Sequence, residues 1–314
     1  MSLGEACVVL EQLEQHSDKE IQAYSAEHQP VSVYTRIIYS DSRLIHALLE
    51  LRHPHRVKSE KEWEDSVVRL DMAIVIAGAP GNGRLDLILE TINRIQTIYL
   101  PIATNGGHIA ESHELRRTVA LPQVQGLASQ EVRSISPPSI TSFLGKLECP
   151  FMLRGFLSDW PALTYNYWGS SSYLLRVAGR GRIVPIEIGK DYRESEWTQK
   201  MMPWEMFLRG IGILHSKSDD ISTITDADSP LYLAQHNLLT QFPKLRSDIV
   251  IPDYAYSSPH PPSSFPDYKP PGNEEQLVIN AWLGPAGTVS PAHTVRVPCH
   301  FQNHFMRSSD IETC

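Results

Sequence analysis

Between Glu60 and Ala77 the chain begins with the acidic residues Glu60, Glu62 and Glu64 and then becomes apolar on almost every face. Carboxylates suit a helix N-terminus, where the backbone dipole leaves partial positive charge. A helix without a polar face must be covered from all sides. The segment therefore demands partners and reads as the central helix of a small bundle. Leu3 to Ala26 supplies one partner, with Leu10, Leu13, Ile21 and Tyr24 in a broken amphipathic pattern. Ser42 to Arg52 supplies another, placing Leu44, Ile45, Leu48, Leu49 and Leu51 on a wide apolar stripe. Gly78, Pro80, Gly81 and Gly83 break the central helix, and Leu85 to Leu100 restarts helically. The break spells GAPGNGR. It lacks the Gly-Lys-Ser/Thr ending of a phosphate loop and follows a helix rather than a strand, so it reads as an inter-helix turn.

Charge and composition exclude several classes. The chain has 28 Lys and Arg against 36 Asp and Glu, a net charge of −8. That balance gives no general field for nucleic acid or an anionic membrane. The longest apolar run, Met72 to Ala79, is far below the ~20 residues that span a bilayer. The N-terminal sequence MSLGEACVVLEQLEQ has no basic segment and carries Glu5, unlike a secretory signal. The cysteines, Cys7, Cys149, Cys299 and Cys314, are scattered without CxxC spacing, which fits a reducing compartment.

The length of 314 residues suits roughly two domains, and the texture changes accordingly. Thr104 to Ser139 is polar and weakly periodic, a linker. From Pro150 strand-like stretches, Phe151 to Leu153 and Ile183 to Ile188, alternate with helical ones such as Pro203 to Leu208. That mixture predicts an α+β fold. Pro252 to Gly272 carries seven prolines and four serines and predicts a long loop. Leu277 to Leu283 (LVINAWL) predicts a buried strand, closed by a turn at Gly284 to Gly287.

The phrases RGFLSDWPA (Arg154 to Ala162), RIVPIEIGKDYRESEWTQ (Arg182 to Gln199), LYLAQHNLLTQFPKLRSDI (Leu231 to Ile249), IPDY (Ile251 to Tyr254) and NAWLGPAGTVSPAH (Asn280 to His293) carry a specific resemblance. Together they make roughly Arg117 to His293 similar to the Jumonji C (JmjC) family of Fe(II), 2-oxoglutarate-dependent oxygenases, most closely to its arginyl hydroxylases. Trp63 and the helix after it resemble the family more faintly. Periodicity and texture divide off a helical N-terminal domain over 1–103 and a linker over 104–139, and the resemblance implies part of a JmjC domain over 140–293 followed by a divergent tail over 294–314. The JmjC part would be an incomplete cupin-like, double-stranded β-helix jelly roll.

An iron centre that activates oxygen uses two imidazoles and one carboxylate, leaving positions for 2-oxoglutarate and O₂. By resemblance His293 is the first imidazole. The H-x-D carboxylate would follow two residues later, where the sequence has Val295. After His293 the resemblance ends, and with it the second histidine. Catalytic residues are thus not intact, and the resemblance implies a truncated, inactive isoform of a protein hydroxylase. A non-catalytic binding module and an unstable splice product are the alternatives.

Other positions match one by one. Tyr232 and Ser290 match residues that hydrogen-bond 2-oxoglutarate. Glu187 matches a carboxylate receiving a substrate guanidinium, Trp282 an aromatic wall beside it, and Gln235 a further polar contact. From spacing alone, Tyr232 is a half-buried aromatic, Glu187 an outward strand residue and Trp282 a core residue. The implied partner is a protein substrate (an arginine-containing peptide, a histone or another nuclear protein) and the implied location is the nucleus, with the cytoplasm also open. The tail residues Cys299, His300 and His304 match no common zinc spacing with His293, and Asp310 does not rebuild the triad; they read as solvated.

Overall fold

The structure is a computed structural model that describes residues 3–27, 29–52, 58–102, 132–146, 149–189, 197–214, 230–256, 264, 266–267, 279–285 and 288. Helices α1 (Leu3–Ala26), α2 (Val33–Arg52), α3 (Glu60–Val75) and α4 (Arg84–Tyr99) form the first part. The central helix is α3. Its N-cap Ser59 makes a capping box, with the Ser59 hydroxyl accepting from the Glu62 amide and the Glu62 carboxylate accepting from the Ser59 amide. Val67, Leu70 and Ala73 are fully buried and pack with Leu44 of α2 and Ile88 and Ile92 of α4. Each large aliphatic side chain so buried contributes roughly 1.5–3 kcal/mol. Trp63 closes one end by stacking on Tyr99, ring centres 3.9 Å apart.

The sequence places the start of α2 at Ser42, whereas the helix begins at Val33. Thr35 and Tyr39 explain the extension. Both are buried one helical turn apart, Tyr39 packs with Ile21 and Ala77, and the Thr35 hydroxyl donates to Glu20 of α1. A half-buried ionic cluster also joins α1, α2 and α3. His46 lies 3.0 Å from Glu14, and Glu50 is approached by Lys58 at 2.7 Å and Arg69 at 3.2 Å. Burial raises the Glu50 carboxyl pKa, but hydrogen bonds from Lys58 and Ser66, with the charges of Arg69 and Lys58, outweigh it and hold it below its ordinary value.

The second part mixes helix and sheet, so the molecule is α+β. Strands β1 (Arg133–Ile135) and β2 (Phe151–Leu153) pair in parallel, with α5 (Ile140–Leu144) between them. β1 lies inside the stretch that reads as linker. Its three residues are too few to show a period. Helix α6 (Ser171–Ala178) leads to β3 (Ile183–Ile188), β4 (Thr198–Pro203) and α7 (Trp204–Gly210), then β5 (Leu231–His236), α8 (Leu238–Gln241), α9 (Pro243–Arg246) and β6 (Ala281–Leu283). The four-stranded sheet has order β4-β3-β5-β6 and is antiparallel throughout. One face carries Val184, Ile186, Leu231 and Leu233 into a core with Trp204 and Phe207.

The proline-rich stretch is not wholly loop. Asp253–Tyr256 forms a 3-10 turn whose Tyr254 is buried, stacked on Phe143 at 4.4 Å and donating its hydroxyl to the Pro138 carbonyl. Nearby, the buried Asp248 carboxylate accepts from Asn166, the Trp168 indole and the Tyr173 hydroxyl at 2.7, 2.9 and 2.5 Å. Burial, then the bond to Asp248, pushes the Tyr173 phenol well above its ordinary value.

The two parts meet across α3, α4 and the approach to β3. Asp71 of α3 has no exposed surface and receives the Arg182 guanidinium as a fork, with Nε at 2.9 and 2.8 Å from the two carboxylate oxygens. Arg182 also donates to the Gln241 carbonyl at 2.8 Å and lies over the Phe242 ring. Gln96 of α4 donates to the Ala178 and Arg180 carbonyls. Two glycines permit this approach. Gly179 (φ +73) would drive a Cβ to 2.5 Å from the Gln96 side chain, and Gly181 (φ +80) would put one 3.2 Å from the Glu64 Cα.

Candidate functional site

The antiparallel register of β3 and β5 puts Glu187 directly opposite Tyr232 and Ile188 opposite Leu231. Successive residues on a strand face opposite sides. Since Ile188 and Leu231 pack on the core, Glu187 and Tyr232 lie together on the other face. β6 extends the arrangement. Leu283 pairs with Leu233, and Ala281 and Leu283 pack toward the core, which turns Trp282 to the face of Glu187 and Tyr232. Three positions from three adjacent strands therefore share one surface.

Trp282 is 42% exposed, which corrects the expectation of a core residue. The physical reason is alternation along β6, since Ala281 and Leu283 pack on the core and Trp282 between them faces away from it, opposite a bulge in β5. Between the pairs Leu233↔Leu283 and His236↔Ala281, β5 advances three residues while β6 advances two, so Ala234 and Gln235 together oppose Trp282. Gln235 takes a left-handed backbone (φ 49) and is exposed at this bulge. Glu187 is half-buried, as its outward strand position predicts, and Tyr232 is likewise half-buried.

Trp197, which the sequence did not single out, completes the acidic side. Its indole Nε1 donates to the Glu187 carboxylate at 3.3 Å. It stands just before β4, whose Gln199 pairs with Glu187. The chain returns close at Gly189 (φ +125), where a Cβ would lie 3.1 Å from the Trp197 Cα. The turn after β6 is similarly tight: a Cβ on Gly284 would meet the Tyr232 ring at 2.9 Å, and Thr288 donates to the Pro285 carbonyl. A half-buried carboxylate held by an indole, with a second indole across the same face, suits a planar cation. A guanidinium can pair with the first and stack on the second.

His236 follows the bulge and turns inward. The Gln241 side-chain nitrogen donates to the Ile183 carbonyl at 2.7 Å, so its oxygen accepts from His236 Nε2, also at 2.7 Å. Burial lowers the His236 pKa below its ordinary value, against the Gln241 bond and the nearby Asp71 charge.

Ser290, His293 and Val295 lie outside the described residues, as do Cys299, His300, His304 and Asp310. Among the described residues no group of three His, Cys, Asp or Glu side chains is placed to hold a metal ion. No helix among the described residues is long and apolar enough to cross a membrane.

An α+β protein with a polar, aromatic face on an antiparallel sheet is the class these observations define. Comparison with known proteins makes it specific. The chain is 38% identical over 168 residues to lysine-specific demethylase 8 of Danio rerio, covering 52% of this chain and 36% of that one. It is 38% identical over 176 residues to Jumonji C domain-containing protein 5 of Drosophila melanogaster, covering 55% and 38%. With JmjC domain-containing protein D of Dictyostelium discoideum it shares 36% over 160 residues, covering 50% and 34%. No family model matches the chain. The matched part of this chain is similar to these JmjC proteins, and the chain spans little more than a third of the length of these relatives.

Proposed function

We propose that this chain is a JmjC protein of the arginyl-hydroxylase kind that binds arginine side chains of protein partners without oxidising them. The observation that carries the reading is the shared face of Glu187, Tyr232 and Trp282, with Trp197 holding the carboxylate. Glu187 would take the guanidinium fork and Trp282 its flat side. Tyr232 and Ser290 would be the carboxylate-binding hydroxyls for 2-oxoglutarate, and Gln235 a polar contact at the rim. The fold around them would be the cupin-like jelly roll of Fe(II), 2-oxoglutarate-dependent dioxygenases. Nuclear protein partners such as histones are the partners that the sequence resemblance implies; the Danio relative is named a lysine-specific demethylase. Valine at position 295 supports binding without turnover, because it removes the carboxylate that would complete the iron triad.

Two measurements test this. Succinate release in the presence of iron(II), 2-oxoglutarate and an arginine peptide should stay at background; catalytic release would refute the claim of inactivity. Titration of the same peptide should show binding that Glu187→Ala weakens about tenfold, the size of one charge-assisted bond. A citrulline peptide that binds as well as the arginine peptide would refute the guanidinium site.

A further inference from the structure

We propose that Asp71 of the helical bundle and Gln241 of α8 are positioning residues that pin the register of β3, and through it the face that carries Glu187. The start of β3 bonds the β4 side through the Arg182 carbonyl, which accepts from the Trp204 amide at 2.9 Å, whereas the backbone groups of Ile183 are held by side chains. Ile183 sits opposite Pro203 in a non-hydrogen-bonded pair, so its amide and carbonyl point away from β4 to the β5 side, where pairing with β5 is confined to Glu187 and Ile188. The Ile183 carbonyl instead accepts from Gln241 Nε2 at 2.7 Å, and the Ile183 amide donates to Asp71 Oδ2 at 2.9 Å. Both backbone groups of one residue are thus fixed from outside the sheet. Arg182, one residue earlier, ties both clamps together by bonding the Asp71 carboxylate and the Gln241 carbonyl.

Register is what such a clamp controls. A slip of one residue turns every side chain on a strand to the opposite face. Glu187 follows Ile183 by two full strand periods, so holding Ile183 holds Glu187 opposite Tyr232. The same Gln241 accepts from His236, at the end of the β5 bulge that lies opposite Trp282. One glutamine therefore touches both strands that build the face. Asp71 makes the helical bundle part of that construction rather than an attached neighbour.

The inference rests on the guanidinium reading for its functional meaning, but its readout does not. The full chain and its Asp71→Asn, Asp71→Glu and Gln241→Met variants are compared by amide hydrogen exchange, with arginine-peptide titration alongside. Exchange at Glu187 and Tyr232 should quicken about tenfold in Asp71→Asn and Gln241→Met while the α7 amides keep their parent rates, a local opening rather than a global one. Asp71→Glu, which keeps the charge, should recover part of the protection. Peptide affinity should fall in step with the loss of protection. Unchanged β3 exchange, or an equal rise in α7, overturns the register pin. Should Asp71→Asn fail to fold, Gln241→Met decides alone, since it leaves no unpaired buried charge. A parent chain that binds no arginine peptide but whose β3 loosens in Gln241→Met refutes the guanidinium reading and supports the pin.

Discussion

At the scale of single residues, burial and hydrogen bonding decide protonation. His236 is held neutral in the fold because burial lowers its pKa below the ordinary value of 6.5. The unfolded chain takes up that proton near its ordinary value, so folding stability is complete above it and falls as pH drops toward the folded pKa. The parent chain should therefore lose stability between pH 7 and pH 5, and His236→Gln should lose less over the same interval. Urea midpoints at the two pH values check this; identical slopes in parent and variant would count against it. Asp71 and Gln241 face the same imidazole and oppose the effect of burial, which keeps the loss moderate. Nothing in the sequence around His236 announces this role. Its partner Gln241 sits on the next helix, five residues on, where neither strand nor helix spacing links the two.

At the scale of elements, capping and periodicity carry most of the local information. The Ser59–Glu62 box satisfies two backbone donors at the start of α3, and Ser59→Ala should cost about 1 kcal/mol. Ser59→Asp should cost much less, since an aspartate accepts the same bond; chemical denaturation of both variants measures the difference. Helices α1, α3 and α4 were legible because their apolar residues recur at helical spacing over many turns. The start of α2 was not, since Thr35 is polar and its burial depends on Glu20 in another helix. Strands β2 and β3 were legible from compact apolar runs. β4 escaped because it lies at the edge of the sheet and reads as TQKMMP, with Gln199 and Lys200 exposed. The outward side of Glu187 followed from alternation alone. Trp282 did not, because LVINAWL is too uniformly apolar to show which side a residue faces.

At the scale of the whole molecule, one buried pair is central to the seam between the two parts. Asp71 has two different environments depending on whether the second part is present. In the full chain Asp71→Leu strands the buried Arg182 without a counter-ion and should cost about 3–5 kcal/mol. In a fragment of residues 1–102 the same carboxylate has no Arg182 to meet, and Asp71→Leu should be neutral or slightly stabilising, because leucine is the better helix former. We propose that this fragment keeps its helices, as the complete packing of α3 between α2 and α4 favours. Thermal melts followed by circular dichroism test both statements, and a loss of equal size in fragment and full chain would refute the account. The pair also joins positions 111 residues apart, which imposes an order on synthesis. As the chain leaves the ribosome the helices are complete long before Arg182 appears, and until then the Asp71 carboxylate remains hydrated. The nascent bundle thus carries a wet, charged seam where the finished protein has a dry one, and that seam is sealed only when the segment leading into β3 arrives to displace its water.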